Sequence, residues 1–393
     1  MNYTSLKELI EIDSPTGFTH IAAEYCFNYL KNLGFNPTYT IKGAVKCSLG
    51  ENPTLCIAGH LDTLGAIISS INGDGTLSIS LLGGLSMNMA EGEYCRIHTH
   101  EGRIYTGTLL LNNPSAHANK DLDSTKRNIE SMHIRLDELV ENKNDVLKLG
   151  IQVGDIIAFD TRYQELESGF IKSRYLDNKA GCFVLFEIAE RAKKMEKSFP
   201  VELFFSNYEE VGHGASGGFA PTIKDMLVID MGVVGHNVEG KETACSICAK
   251  DSTGPYDYNF RKELVELCRK NNIPYNVDIY PFYGSDGSAA LRAGNQFRVA
   301  LIGMGVAASH GVERTHKKGI EATLDLCMAY IEGLHFAERR GGGGGGRGGE
   351  PPYLQNNLNY KIPNNNSAGL AITALLPFIT IGLSIKIGFS III

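Results

Sequence analysis

The chain has 393 residues, of which 43% are hydrophobic and 21% are charged, a composition typical of one large globular domain or two smaller ones. Its net charge of −7 and its pI near 5.9 argue against general nucleic-acid binding. Nine cysteines at irregular spacing do not form the pattern of a disulfide framework. The N-terminal residues lack the basic and then apolar pattern of a signal peptide, so we expect a cytoplasmic protein.

Helical and strand patterns alternate along most of the chain. Apolar residues recur at helical spacing over residues 5–12, 20–33, 180–193, 257–270 and 320–334. Short apolar runs that predict buried strands cover residues 54–58, 201–206, 226–229 and 297–302. Strands that alternate with helices predict a three-layer α/β domain.

The pattern changes between residues 67 and 159. Short alternating runs at 76–80, 94–99 and 103–111 are separated by turn residues, and the polar stretch 112–128 is predicted to be a loop. This pattern of short alternating runs and turns predicts a small β-rich insert. We therefore predict a discontinuous main domain over residues 1–66 and 160–340, with the insert over residues 67–159.

The segment 341–393 differs from the rest of the chain. Residues 341–349 are nearly all glycine, an asparagine-rich stretch follows, and residues 369–393 are strongly apolar and long enough to span a bilayer. Pro377 and Lys386 interrupt the apolar run. We predict that this tail is an appended segment outside the fold that adds no function, and a membrane anchor is the alternative.

Side chains able to bind metal follow a buried strand, or begin a helix, at five places. They are His60 with Asp62, Asp177, Glu209 with Glu210, Asp230, and His310. Each one alone is more often a solvated or hydrogen-bonded residue, but in open α/β sheets ligands collect at the carboxyl ends of strands. Imidazole and carboxylate groups suit Zn²⁺, Co²⁺ or Mn²⁺. The recurrence therefore predicts a metal centre.

This set of candidate ligands fits two divalent ions, because one bridging carboxylate and two terminal ligands for each ion make five residues. Asp62 lies two positions after His60, so both side chains of an extended segment face the same way and Asp62 can orient the imidazole. Glu209 is then left free as the carrier of a proton.

The order of these motifs resembles that of the co-catalytic dinuclear metallo-aminopeptidases. The resemblance is carried by residues 59–62 (GHLD), 176–181 (LDNKAG), 208–212 (YEEVG) and Asp230. Within that group the sequence is most similar to the glutamyl and tetrahedral (TET-type) aminopeptidases, some of which were once named endoglucanases. Residues 251–257 and 283–286 also resemble stretches of that family, and the resemblance covers about residues 5–338.

The resemblance implies a mixed-sheet α/β/α catalytic domain, interrupted by a barrel-like dimerisation domain, and assembly into a homo-oligomer, from a dimer up to a tetrahedral dodecamer. It implies a metal-dependent aminopeptidase that acts on peptides. One ion would be held by His60, Asp177 and Asp230, and the other by Asp177, Glu210 and His310. Asp177 would bridge the two ions, Glu209 would be the general base, and Asp62 would orient His60.

Several alternatives stay open at this point. The last histidine departs from the Arg-Tyr-x-His-Ser-like context of the family, and His316 is the alternative to His310, which we prefer for its spacing to the closing helix. The ions are expected to be zinc, with cobalt or manganese as alternatives. A related dinuclear deacylase or carboxypeptidase, or a metal-bound assembly protein without catalysis, would use the same ligands.

Overall fold

The computed structural model describes residues 1–341 of the chain. These residues form a mixed sheet of twelve strands and a closed barrel of six strands, surrounded by seven α-helices. The helices are α1 (Thr4–Glu11), α2 (His20–Asn32), α3 (Lys143–Lys148), α4 (Leu176–Met195), α5 (Tyr258–Asn271), α6 (Asp286–Arg292) and α7 (Lys317–Gly341).

The strands divide between the large sheet and the barrel. Those of the sheet are β1 (Thr38–Tyr39), β2 (Val45–Ser48), β3 (Leu55–His60), β10 (Gln164–Glu165), β11 (Phe170–Ser173), β12 (Val201–Ser206), β13 (Asp225–Ile229), β14 (Gly232–Val234), β15 (Cys245–Lys250), β16 (Tyr275–Ile279), β17 (Arg298–Ala307) and β18 (Glu313–His316). Those of the barrel are β4 (Gly65–Ile71), β5 (Leu77–Leu82), β6 (Tyr94–His98), β7 (Ile104–Leu111), β8 (Met132–Leu136) and β9 (Ile156–Phe159).

Four parallel strands form the centre of the large sheet, in the order β12, β3, β13 and β17. Antiparallel strands flank them, beginning with β2 on one side and β18 on the other. The carboxyl ends of β12 and β3 are level, because Ser206 pairs with His60. Polar residues that follow these strands are therefore brought to one edge of the sheet.

Both faces of the central strands are buried, which explains why they have nearly continuous apolar runs. In β3, Leu55 and Ile57 pack into the core shared with α1, α2, α4, α5 and α7, whereas Cys56 and Ala58 pack on the opposite face. Helix α6 covers part of that second face, where it contacts β3, β13 and β17. The predicted three-layer α/β/α fold with a β-rich insert is confirmed.

The barrel closes in the order β4, β5, β8, β7, β6 and β9. It has a hydrophobic core of its own, which includes Ile79, Ile97, Leu109 and Ile134. The described residues nevertheless belong to one compact unit, so the domain boundaries at 66/67 and 159/160 stay a prediction.

The C-terminal tail and the alternative of a membrane anchor were also predicted from the sequence. The predicted tail over 341–393 lies outside the described residues except for Gly341, the last residue of α7. Within residues 1–341, none of the helices is both long enough and apolar enough to cross a membrane.

Asp13, in the loop after α1, connects this loop to the barrel through Arg96 and His98 of β6. Its carboxylate accepts hydrogen bonds from Arg96 Nε at 2.7 Å and Nη2 at 2.6 Å, and pairs with His98 Nε2 at 2.7 Å. Burial raises the pKa of Asp13, but these hydrogen bonds outweigh burial and lower it to about 2. The charged form of Asp13 therefore stabilises the contact between this loop and the barrel.

We predict that Asp13→Asn lowers the free energy of unfolding by about 2–3 kcal/mol at pH 7, since the carboxyl pKa is lowered by roughly two units on folding. A carboxyl pKa lowered by folding stabilises the protein above the unfolded value, and this contribution disappears as the pH falls through the folded value. The difference between wild type and variant should therefore shrink to about half at pH 3. Urea titrations at pH 7 and pH 3 measure both values.

The control is Asp160→Asn, because Asp160 lies 3.9 Å from Arg96 Nη1 and its side chain is 42% exposed. An exposed pair of this kind contributes less than about 1 kcal/mol. Equal losses for the two variants at pH 7 would contradict the role given to Asp13.

Candidate active site

The five predicted metal ligands converge at the carboxyl edge of the central strands. His60 is the last residue of β3, and Asp230 directly follows β13. Val228 of β13 pairs with Ala58 of the parallel strand β3. Two residues further along both strands, Asp230 therefore lies level with His60. Glu210 lies in the short 3₁₀ helix Glu209–Val211 after β12.

His60 is 1% exposed and faces three carboxylates. Its Nδ1 lies 2.9 Å from the backbone carbonyl oxygen of Asp62, which can only accept, so Nδ1 carries the proton and donates it. The other ring nitrogen, Nε2, lies 3.2 Å from Asp177 Oδ1, 3.7 Å from Glu209 Oε2 and 3.9 Å from Asp230 Oδ2. Nε2 is therefore the nitrogen that can bind a metal ion.

His310 lies in the loop between β17 and β18 and repeats the same arrangement. Its Nδ1 lies 3.0 Å from the backbone carbonyl oxygen of Gly84, a residue of the barrel. Its Nε2 lies 3.7 Å from Asp177 Oδ2 and 3.8 Å from Glu210 Oε2. In both histidines a backbone carbonyl fixes the tautomer and turns Nε2 towards the carboxylates.

His316, the alternative ligand, lies at the end of β18, paired with Phe170 of β11. Its Nε2 contacts the carbonyl oxygen of Ser168 at 3.1 Å, and its Nδ1 accepts from the backbone N–H of Lys318 at 3.0 Å. Both ring nitrogens thus have partners in its own surroundings. The structure brings His310, and not His316, to Asp177 and Glu210.

Asp177 occupies an interruption at the start of α4. Helix α4 begins at Leu176, but the backbone of Asp177 and Asn178 is not helical, so the regular helix continues only after them, close to the predicted helix over 180–193. The two carboxylate oxygens of Asp177 face different histidines, Oδ1 facing His60 and Oδ2 facing His310. This is the geometry of a bridging carboxylate.

Glu313 holds the backbone of two candidate ligands. Its Oε2 accepts from the backbone N–H of Asp177 and its Oε1 from that of His310, each at 3.0 Å. The residue is 2% exposed, and the N–H of Asp177 that it accepts from is buried, so that group would lack this partner without Glu313. The sequence alone does not reveal this role of Glu313, and the position three residues after His310 is the available signal.

Asp62 holds the turn that carries the two glutamates. Its Oδ1 accepts from the backbone N–H of Glu209 at 3.1 Å and its Oδ2 from that of Glu210 at 3.2 Å. Thr16 Oγ1 donates to Oδ2 at 2.7 Å. The carboxylate is 3.6 Å from His60 Nδ1, farther than the backbone carbonyl of the same residue. Asp62 thus orients His60 through its carbonyl, while its side chain anchors the Glu209–Glu210 turn.

A second buried carboxylate, Asp286, supports the same turn from its other end. Its Oδ1 accepts from the backbone N–H of Ala215 at 2.7 Å, and the hydroxyl of Ser206 donates to its Oδ2. Ser206 ends β12 directly before the turn, and Ala215 follows it. Asp286 lies in the stretch 283–286 that resembles the family, but its function was not predicted from the sequence.

The pKa values of these groups show an excess of buried negative charge. Burial raises the pKa of Glu209 and Glu210 well above the usual value, and raises that of Asp230 to about 8. Burial lowers the pKa of His60, but its hydrogen bond with Asp177 and the nearby carboxylates outweigh burial and raise it. Burial raises the pKa of Asp177, yet the hydrogen bond and charge of His60 lower it overall. A bound cation relieves such an imbalance.

The residues present fit a metal centre by their chemistry. Two groups overlap at His60, one with Asp177 and Glu210 and one with Glu209 and Asp230, and in each group the candidate ligand atoms lie within 4.8 Å of one another. The grouping differs from the expected one, because Glu210 and Glu209 both approach His60 and because His310 belongs to neither group. Imidazole and carboxylate donors of this kind suit Zn²⁺, Co²⁺ or Mn²⁺.

Comparison with known proteins connects this geometry to a family. Residues 43–326 match the family described as M42 glutamyl aminopeptidase. The "Putative aminopeptidase YhfE" of Bacillus subtilis (strain 168) is 42% identical over 332 residues, which cover 83% of this chain and 96% of that protein.

Two solved structures have a similar fold. One is the TET aminopeptidase of the marine sediment archaeon Thaumarchaeota archaeon SCGC AB-539-E09, with a TM-score of 0.76 and 21% identity, over 86% of this chain and 97% of that chain. The other is the TET1 peptidase of Pyrococcus horikoshii, with a TM-score of 0.73 and 20% identity, over 83% of this chain and 98% of that chain.

The fold, the order of the motifs and the relatives agree on one class of protein, the aminopeptidases, which are hydrolases. Within that class the chain belongs to the M42 family, because the family match covers well over half of its length. The resemblance seen in the sequence is thereby confirmed.

We predict that Glu313→Gln lowers the free energy of unfolding by about 1–3 kcal/mol, because the amide nitrogen cannot accept and leaves one buried N–H without a partner. Urea unfolding of the metal-free protein measures this change without interference from bound ions. The control is Glu321→Gln, on the exposed face of α7. A loss of the same size in both variants would mean that Glu313 does not hold the ligand backbone.

Proposed function

We propose that the protein is a metal-dependent aminopeptidase that removes the N-terminal residue from peptides with the help of two divalent ions. The observation that supports this most is the common geometry of the two histidines. In each, a backbone carbonyl accepts a hydrogen bond from Nδ1, and Nε2 faces Asp177. Nε2 of His60 faces Oδ1 of that carboxylate, and Nε2 of His310 faces Oδ2. Such an arrangement favours two adjacent cations that share Asp177.

One ion is proposed to bind to His60, Asp177 and Asp230, and the second to Asp177, Glu210 and His310. These two sets are called the first and the second half-site below. Zinc is the proposed ion, with cobalt or manganese as alternatives that suit the same donors. When bound, the two ions would lower the pKa of a water molecule and polarise the scissile carbonyl.

Glu209 is proposed to move the proton. Its carboxylate takes a proton from the attacking water, whose oxygen bonds to the first peptide carbonyl carbon, and returns it to the leaving amine as the C–N bond breaks. Asp62 supports this role by holding the backbone N–H groups of Glu209 and Glu210. The two adjacent glutamates are thereby presented in fixed and different directions.

The proposed substrates are peptides with a free amino terminus, and the proposed assembly is a homo-oligomer in which the barrel is the dimerisation domain. The assembly is suggested by the TET1 peptidase of Pyrococcus horikoshii, which is described as forming a tetrahedron or a large octahedral shell. The cytoplasmic location stays a prediction.

The function is tested with a panel of peptides offered with free and with N-acetylated amino termini, in the presence of Zn²⁺, Co²⁺ or Mn²⁺. We predict that only the free-amine peptides lose their first residue, as read by mass spectrometry. Glu209→Gln should keep two ions per chain and lose about 10²–10⁴-fold in kcat, the usual contribution of a positioned acid–base group.

Glu210→Gln is the matched control, because it changes the neighbouring glutamate in the same turn. We expect it to lose the second ion, whereas Glu209→Gln should not. Hydrolysis of the N-acetylated peptides instead would support a deacylase, and cleavage from the carboxyl end a carboxypeptidase. Near-normal turnover by Glu209→Gln would exclude Glu209 as the base.

A separate prediction concerns the last ligand. We expect His310→Ala to bind one ion per chain and His316→Ala to bind two, because only His310 faces Asp177 and Glu210. The metal content of each variant after dialysis, measured by mass spectrometry of the elements, decides between them. The reverse result would assign the ligand to His316.

A further inference from the structure

The turn after β5 brings the barrel into contact with the second half-site. We call residues 83–85 the barrel turn. The carbonyl oxygen of Gly84 accepts from His310 Nδ1 at 3.0 Å. Gly83 packs against Glu210, since a Cβ at position 83 would lie 3.3 Å from Glu210 Cβ. One turn of the barrel therefore contacts both terminal ligands of the second half-site.

His310 depends on this contact more than His60 depends on its own partner. The side chain of His310 is 38% exposed, whereas that of His60 is 1% exposed. The carbonyl that holds the His60 ring belongs to Asp62, two residues along the same segment, whereas that of Gly84 is 226 residues away in sequence. Glu313 holds the backbone of His310, but not its ring.

Position 84 favours glycine because there is little room for a side chain beside the imidazole of His310. Its backbone lies outside the left-handed region, so a side chain would not be strained there by conformation. A Cβ at this position would, however, lie 3.1 Å from Nδ1 and 3.2 Å from Cε1 of His310. Any side chain must therefore displace the ring or the turn by a few tenths of an ångström. Gly83 differs, because its φ of +78° itself favours glycine.

We propose that the barrel turn is a positioning element of the metal centre, in which Gly84 orients His310 and makes occupancy of the second half-site depend on the placement of the barrel. This inference rests on the proposed function, since it requires a second ion. It assigns to the inserted barrel a role in metal binding in addition to any role in assembly. The first half-site, whose ligands lie on the large sheet and α4, does not touch Gly84 and is independent of it.

The test is a metal titration of the metal-free full-length protein with Co²⁺ and with Zn²⁺, followed by calorimetry and by the visible absorbance of Co²⁺. Wild type, Gly84→Ala and Gly84→Val are compared. We expect the affinity for the second ion to fall about 10-fold with alanine and up to about 100-fold with valine, the range found when groups that orient metal ligands are changed. The affinity for the first ion should stay within about twofold of the wild type.

Gly73→Ala is the matched control, because Gly73 lies in the same barrel, has ordinary backbone angles and would place its Cβ in open space. It should bind both ions as the wild type does. Circular dichroism and the urea midpoint of each metal-free variant report folding, and if valine prevents folding the alanine variant decides.

The outcomes separate the two claims. A wild type that binds fewer than two ions per chain overturns the proposed function, and this inference with it. A wild type that binds two ions, together with folded Gly84 variants that bind the second ion at wild-type affinity, overturns this inference alone. An equal loss for both ions in the Gly84 variants also overturns it, because the turn would then act on the whole centre.

Discussion

The fold of this aminopeptidase is arranged around a buried excess of negative charge at one edge of the sheet. Seven carboxylates collect there, namely Asp62, Asp177, Glu209, Glu210, Asp230, Asp286 and Glu313. In the described part of the chain, the basic side chains within 4.0 Å of these carboxylates are His60 and His310. Burying carboxylates without compensation is costly, so the charge must be balanced by protons or by cations.

The seven carboxylates divide into two sets by what their oxygens contact. Asp62, Glu313 and Asp286 accept hydrogen bonds from backbone N–H groups of the segments that carry the candidate ligands and Glu209. Oxygens of the other four face the imidazole nitrogens, and Asp230 Oδ1 also accepts from the backbone N–H of Met231 at 2.6 Å. The first set therefore holds the loops in place, and the second set is left to meet cations and substrate. Neutralising a carboxylate of the first set removes hydrogen bonds from the backbone, whereas neutralising one of the second set removes charge from the centre.

The sequence predicted the fold well where the signal is local. Buried strands such as Val201–Ser206 are apolar on both faces because the sheet is covered on both sides, and the short alternating runs of the insert have the period of a half-buried strand. The positions of His60 and Asp230 also follow from the sequence, since residues at the ends of parallel strands meet at one edge. The choice between His310 and His316 needed the structure, because both follow the same strand.

Other features of the site could not be predicted because they depend on contacts between distant segments. The role of Gly84 is carried by a backbone carbonyl, which every residue has, and its partner is 226 residues away. The backbone carbonyl of Asp62 orients His60, while its carboxylate holds the turn of the two glutamates. These two roles depend on backbone angles that the residue type does not specify. Glu313 is recognisable only when Asp177 and His310 are seen side by side.

The place of the insert in the chain explains why the barrel lies beside the candidate metal centre. Strand β4 begins five residues after His60, and β9 ends at Phe159, so the chain leaves the sheet next to one candidate ligand and returns 18 residues before another, Asp177. The short exit limits how far the barrel can move from the sheet edge. Buried charge restricts it further, because Glu93 of the barrel pairs with Arg174 at 2.6 Å, and Arg174 also donates to the carbonyl oxygen of Met89. These contacts hold the barrel next to the segments that carry the candidate ligands, so the carbonyl oxygen of Gly84 reaches His310.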